Sequence, residues 1–268
     1  MGRAKEIIVK VIPAKIANEF VKKHHYSGKV VQNSSLHFGC FLDNKLHGVM
    51  SYGSPIDKSK VLGLVQPSLW NEMLELNRMA FDEYLPKYSE SRCIAISIKL
   101  IKKNAPQIKW ILSFSDGTQC GDGTIYRATG FNLTAVRDNK DLIQLPNGFI
   151  FHELNSRDGG SVIQKKRNSD GFTNTTKWLN EKYKGWERLK GFQLRYIYLI
   201  DKTCKITVPI LPFSKIDEMG AGMYKGKKVS LQDRKTQAAL PHKGEGQTFQ
   251  SEGAFDSTVP LNNSVINP

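Results

Sequence analysis

The chain has 268 residues, is 40% hydrophobic and 10% aromatic, and carries a net charge of +14. That is enough apolar material for one substantial core or two small ones, which excludes a disordered chain. No run approaches the 18 apolar residues of a membrane span, and lysines break up the N-terminal MGRAKEIIVKVIPAK, which excludes a secretory signal. Gly2 alone does not make a lipid anchor, so a cytoplasmic protein is expected. Cys40, Cys93, Cys120 and Cys204 are scattered without a CxxC pair, which argues against structural zinc and for reduced thiols.

The positive charge is uneven. Residues 1–156 hold 20 basic and 14 acidic side chains, residues 157–235 hold 18 and 8, and the last 33 residues hold 1 and 3. Such a concentration points to a surface facing a polyanion; a merely solvated lysine-rich surface is the plainer reading.

In chain order, Glu6 to Ile12 alternates and is β-branched, predicting a first strand. Pro13 then opens a helix whose apolar positions, Ile16, Phe20, Val21 and His24, recur at helical spacing and which ends near HHYSG. LHFGCFL and LHGVMSYG flank Asp43-Asn44 as a hairpin. MLELNRMAF (73–81) is the next strand. SESRCIAISIKLIKKNA is an amphipathic helix with Ser89 or Ser91 as its cap and lysines in its last turn. Ile108 to Ser115 forms a strand, and Gly123 to Thr129 a short helix. FNLTAVR and LIQLPNGFIFHEL pair as a hairpin in this reading, and FQLRYIYLI (192–200) is the last clear strand. Residues 152–191 form a polar, basic insertion with a helix around Thr176 to Leu189. Residues 235–268, polar and without periodicity, are expected to be a flexible tail after a domain spanning 1–234.

The element order is that of a mixed α/β sheet flanked by helices, and it resembles the N-acetyltransferase (GNAT) fold. In that fold the central strand and the following helix bind the pyrophosphate of an acyl-CoA. Here PKYSESRC replaces the usual glycine-rich turn, although Ser89, Ser91 and Arg92 at a helix start can still receive a phosphate. A narrower resemblance rests on KKHHYSGK, LELNRMAF, SESRCIAISI, SFSDGTQCGDGTIYRATGF and LKGFQLRYIYLID, in that order. These motifs are similar to those of the phage Mom family, GNAT-related proteins that put a carbamoylmethyl group on N6 of adenine in DNA and so protect it from host restriction. The resemblance implies a transferase in the cytoplasm of an infected or lysogenic host, with double-stranded DNA as partner, no membrane role, and a homodimer as one assembly to test.

By the resemblance, His25, Tyr26, Asp116 and Tyr126 are active-centre side chains, and Arg78 and Ser91 lie where the fold handles its donor. The residues read on their own leave alternatives open. Asp116, past a strand end and before Gly117, is either a turn aspartate or a base or orienting carboxylate for the amine, whose lone pair is delocalised into the purine ring. Tyr126 is either a core aromatic or a general acid. His25 either complements a helix end or acts as a base or metal ligand. The resemblance also implies a role for iron, for which His25 and Asp116 are the available ligands. Arg78 either pairs with Glu75 or Asp82 or holds a phosphate. Cys120 has no recognisable base beside it.

In the insertion, Lys165, Lys166, Arg167, Lys177, Lys182 and Lys184 are expected to meet DNA phosphates. Trp178 and Trp186 either stack on a displaced base or anchor the insertion. The donor is open: acetyl-CoA or a related carrier fits the fold class, but acetyl transfer gives the wrong connectivity for a carbamoylmethyl product. An ordinary acyl-CoA N-acyltransferase and a non-catalytic DNA-binding scaffold are the competing functions.

Overall fold

The computed structural model describes residues 2–25, 27–117, 122–157, 161–224, 227–228 and 232–233. Tyr26, Cys120 and the 235–268 tail, all singled out above, lie outside them.

Strand β1 (Ile8–Val11) follows a 3-10 turn at Arg3–Glu6, so the expected strand starts two residues late. Helix α1 (Ala14–His24) starts after Pro13, whose fixed φ suits a helix start, and Gly28 turns the chain just beyond it with φ +60°. Strands β2 (Ser34–Leu42) and β3 (Lys45–Gly53) form the expected hairpin. Asp43 and Asn44 both take positive φ, 50° and 59°, as a two-residue turn between twisted strands requires. A short helix α2 (Lys58–Leu62) and strand β4 (Val65–Gln66) lead to β5 (Met73–Phe81) and helix α3 (Ser89–Asn104). Strand β6 (Trp110–Asp116), helix α4 (Thr124–Ala128) and strand β7 (Asn132–Asn139) complete the expected middle of the chain.

The expected hairpin between FNLTAVR and LIQLPNGFIFHEL is corrected. β7 pairs instead with β11 (Gly191–Leu199), some fifty residues on. The second segment folds on itself as β8 (Leu142–Gln144) and β9 (Ile150–His152), turning at Pro146 to Gly148. The insertion therefore starts about ten residues earlier than expected. It carries α5 (Val162–Ser169), α6 (Thr175–Lys182) and β10 (Glu187–Arg188), which joins β8 in a three-stranded sheet. The expected helix covers only eight residues because the Lys184-Gly185 turn stops it.

The main sheet has seven strands in the order β1-β2-β3-β5-β6-β11-β7, antiparallel except for β5 beside β6. This is the mixed sheet flanked by helices that the acetyltransferase resemblance led us to expect. One face carries α3 and α4 over a core that includes Phe38, Cys40, Tyr52, Leu76, Ile94, Ile111 and Tyr196. The other face carries α1 over Val49 and Ala80, and farther along it α2 and β4 over Trp110, Leu112 and Ile197.

The small helix α4 is positioned by Gly123, which has φ +67°. A Cβ there would lie 2.6 Å from the buried Tyr196 hydroxyl, which donates to the Asp122 carbonyl at 2.5 Å. Gly123→Ala combines left-handed backbone strain with overpacking, and the expected loss is about 2–4 kcal/mol, read as a lower urea midpoint at unchanged slope.

Candidate functional site at the opening between the parallel strands

The parallel ladder between β5 and β6 runs only from Met73↔Trp110 to Leu76↔Ser113. Both strands continue beyond it, β5 to Phe81 and β6 to Asp116. They part there because β5 carries an extra residue against β3: Ser51 faces Arg78 and Tyr52 faces Leu76, leaving Asn77 as a bulge. Ser113 closes the base of the opening by donating from Oγ to the Leu76 carbonyl at 3.0 Å. In an open α/β sheet, the space past the C-terminal ends of parallel strands is where ligands collect.

The bulge also decides which side chains share a face. Leu76 packs with the α3 core, whereas Ala80 packs under α1. Glu75, before the bulge, and Arg78, after it, therefore both project to the α1 face. Arg78 is held there by Nε donating to the Lys29 carbonyl at 3.0 Å and Nη1 donating to the Asn77 carbonyl at 3.2 Å. The first bond fixes the loop after α1 and with it His25.

His25 Nδ1 accepts the Ser27 backbone N–H at 3.1 Å and lies 2.8 Å from the Ser27 hydroxyl. A backbone N–H can only donate, so Nδ1 carries no proton and Nε2 does. Burial, and then the Arg78 charge, push the His25 pKa down to about 3. His25 is thus neutral near pH 7, a weak base with its proton on Nε2.

Glu75 is the residue that sequence reasoning mentioned only as a partner for Arg78. Burial pushes its pKa up to about 7, with Arg78 pulling the other way. A carboxyl group poised near neutrality is suited to take a proton at physiological pH. The signal in the sequence was an acid inside an otherwise apolar strand, MLELNRMAF.

Asp116 ends β6 on the same face, since Leu112 and Trp110, spaced by two along that strand, pack there. It stands four residues past Leu112, the partner of Glu75, so roughly 13 Å along the strand separates the two carboxylates. One sits at the floor of the opening and the other at its mouth. Lys29 links this mouth to the insertion, with Nζ donating to Asn155 Oδ1 at 2.9 Å.

The remaining expected residues lie elsewhere. Tyr126 is buried on the opposite face, its ring stacked on Tyr196 at 5.0 Å and edge-on to Phe131 at 5.4 Å. The α3 start departs from the expected cap: Tyr88, with φ 70°, occupies the cap position and makes no side-chain bond. Ser89 is buried and its hydroxyl donates to the Pro86 carbonyl, Ser91 Oγ donates to the Tyr88 carbonyl at 3.3 Å, and Arg92 Nη2 donates to the Lys5 carbonyl at 3.2 Å. These three side chains turn to backbone carbonyls, and no step below is routed through CoA. Among the described residues no three His, Cys, Asp or Glu side chains group to hold a metal ion. His25 and Asp116 gain no third ligand there, so the iron expectation is not carried forward.

In the insertion, Lys165, Lys177, Lys182 and Lys184 are exposed. Arg167 is corrected: it is 8% exposed, with Nη1 donating to Thr175 Oγ1 at 3.2 Å and Nη2 to Asn168 Oδ1 at 3.0 Å. Lys166 pairs with Asp170 at 3.0 Å. Trp178 is fully buried, its Nε1 donating to Asp170 Oδ2 at 2.8 Å, and Trp186 packs on the same small core. The tryptophans anchor the insertion, and the one-turn spacing of Lys166 and Asp170 ties its first helix to that anchor. No helix among the described residues is long and apolar enough to cross a membrane.

Comparison with known proteins bears on this arrangement. The sheet is similar to a probable acetyltransferase from Staphylococcus epidermidis, 11% identical over 72% of this chain and 99% of that one, with a TM-score of 0.41. A GNAT family acetyltransferase from Elizabethkingia anophelis, solved with acetyl-CoA, is 14% identical over 72% and 98%, with a TM-score of 0.40. Both likenesses are too distant to bear on substrate. The methylcarbamoylase mom of Escherichia phage Mu is 31% identical over 152 residues, which take in 56% of this chain and 62% of that protein. A sequence model of the Mom protein family matches residues 6–215, spanning the whole seven-stranded sheet, and the chain therefore belongs to the Mom family.

Proposed function

We propose that this chain is a phage DNA-modifying transferase that places a carbamoylmethyl group on N6 of adenine. The observation that carries the reading is Glu75, a carboxyl group with a pKa near 7 at the floor of a sheet opening, in a family whose Mu relative is a methylcarbamoylase. The amine of adenine is a weak nucleophile and needs an acceptor for its proton. In the reaction the N6–carbon bond forms, an N6–H bond breaks and its proton passes to Glu75. The leaving group of an activated carbamoylmethyl donor departs with the electron pair.

An adenine whose amine reaches Glu75 points its sugar outward along β6, toward Asp116 at the mouth. Glu75 is then the proton acceptor, and Asp116 orients the nucleotide at the mouth. The base must leave the duplex to enter, at a cost of a few kcal/mol, and the exposed lysines of the insertion offset part of that cost through phosphate contacts.

Nucleoside mass spectrometry on plasmid DNA from bacteria expressing the chain tests this reading. A deoxyadenosine species of the carbamoylmethyl mass is expected, falling by 100-fold or more in Asp116→Ala, as loss of substrate positioning produces. An acetyl mass would move the chain to simple acyl transfer on DNA. Unmodified DNA beside soluble, DNA-binding protein would favour the non-catalytic scaffold.

A further inference from the structure

The sheet face that carries Asp116 also aligns side chains across three strands. Gln193 of β11 stands opposite Asp116 on one side and Arg137 of β7 on the other, and Arg195 stands opposite Phe114 and Ala135. Directly opposed residues of an antiparallel pair project to one face. Leu194 and Val136, the residues between, belong to the core on the other side, which places Arg137 and Arg195 with Asp116.

Arg137 is exposed, whereas the Arg195 guanidinium is seated on the bulge residue Thr134, with Nε donating to its Oγ1 at 3.0 Å and Nη2 donating to its carbonyl at 3.2 Å. Among the described residues neither arginine forms an ion pair with a carboxylate. Burial, and then the neighbouring Arg137 charge, lower the proton affinity of Arg195. Two guanidinium groups held within reach of each other's field, one of them part-buried and fixed, are unfavourable until an anion joins them. Asp116, the carboxylate in the same row, is kept off by Gln193 and two strand spacings, about 10 Å from Arg137.

We propose that Arg137 and Arg195 form a phosphate seat for the DNA strand that bears the target base. The inference rests on the chain being a DNA-modifying enzyme and adds where the strand lies. A guanidinium fork grips phosphate bidentately, and both arginines share the sheet face of Asp116, where the nucleotide's sugar is proposed to sit.

The test is fluorescence anisotropy of a labelled 20-base-pair duplex with the purified full chain, over a series of salt concentrations. The slope of log Kd against log salt is expected to shrink by about 1 in Arg137→Gln and by about 2 when Arg195→Gln is added. Arg195→Lys keeps the charge and should restore most of the second unit. Because Arg137 is exposed and its side chain forms no hydrogen bond or ion pair among the described residues, its variant reads binding without disturbing folding. An unchanged slope and Kd in Arg137→Gln overturns the seat. A reduced slope in a chain that leaves DNA unmodified sinks the adenine reading and keeps the seat, whereas modified DNA with an unaltered slope sinks the seat alone.

Discussion

Glu75→Gln is expected to lower the modification rate 100- to 10,000-fold, the range of a lost general base, while making the protein more stable above pH 7. The two effects share one cause. Burial raises the Glu75 pKa from 4.5 to about 7, so between those values the folded chain holds a proton that the unfolded chain has released. Stability contributed by this group is complete below about pH 4.5 and is lost as pH rises through 7. The shift corresponds to about 2–3 kcal/mol after allowing for partial solvent access. Glutamine, neutral throughout, removes that slope, so the variant's urea midpoint should exceed the parent's at pH 8 and match it at pH 5. In the parent, the rate should climb with pH through about 7 and then level off; in the variant that limb should vanish. A variant that gains stability but keeps the rate and its pH dependence would make Glu75 a structural acid and return the proton to another group.

Trp178→Ala is expected to cost about 3–5 kcal/mol, and the loss should fall on the insertion and not on the main sheet. Trp178 is the largest side chain of a separate small core made with Ile143, Leu145, Phe151, Ile163 and Leu179. Its indole also bonds Asp170, which holds Lys166. A unit this small has little other apolar area to spare, so amides of α5, α6 and β8–β10 should lose hydrogen-exchange protection while those of β2 and β3 keep theirs. Uniform loss across both would show the two cores to be one cooperative unit.

The sequence showed most of what is local. Helix periodicity located α1 and α3, and the Asp43-Asn44 pair between two apolar runs located the first hairpin within two residues. What it hid was long-range or a matter of side-chain direction. β7 finds its partner across the whole insertion, and nothing near FNLTAVR announces FQLRYIYLI as its neighbour. The α3 cap was misread because a serine-rich start satisfies the capping rule, yet Ser89 is needed to close the preceding Pro86 turn. Arg167 looked like one more basic residue of a run, but Thr175 and Asn168 draw it inward. The family motif was legible as a string, whereas the depth of Glu75 in the opening depends on a ladder that stops after four pairs.

The extra residue at Asn77 acts as a parity switch in the chain's bookkeeping of inside and outside. Removing it would leave β5 with nearly the same length and the same neighbours, yet every side chain after it would turn over. Arg78 and Ala80 would enter the α3 core, and Met79 and Phe81 would press against α1. Lineages descended from such a sheet can exchange residues along the strand one at a time, but they cannot change its length at this point without inverting the half that faces the substrate. A change of length is absorbed more easily in the 82–88 connection, which lies outside the sheet and has no alternation to keep in phase.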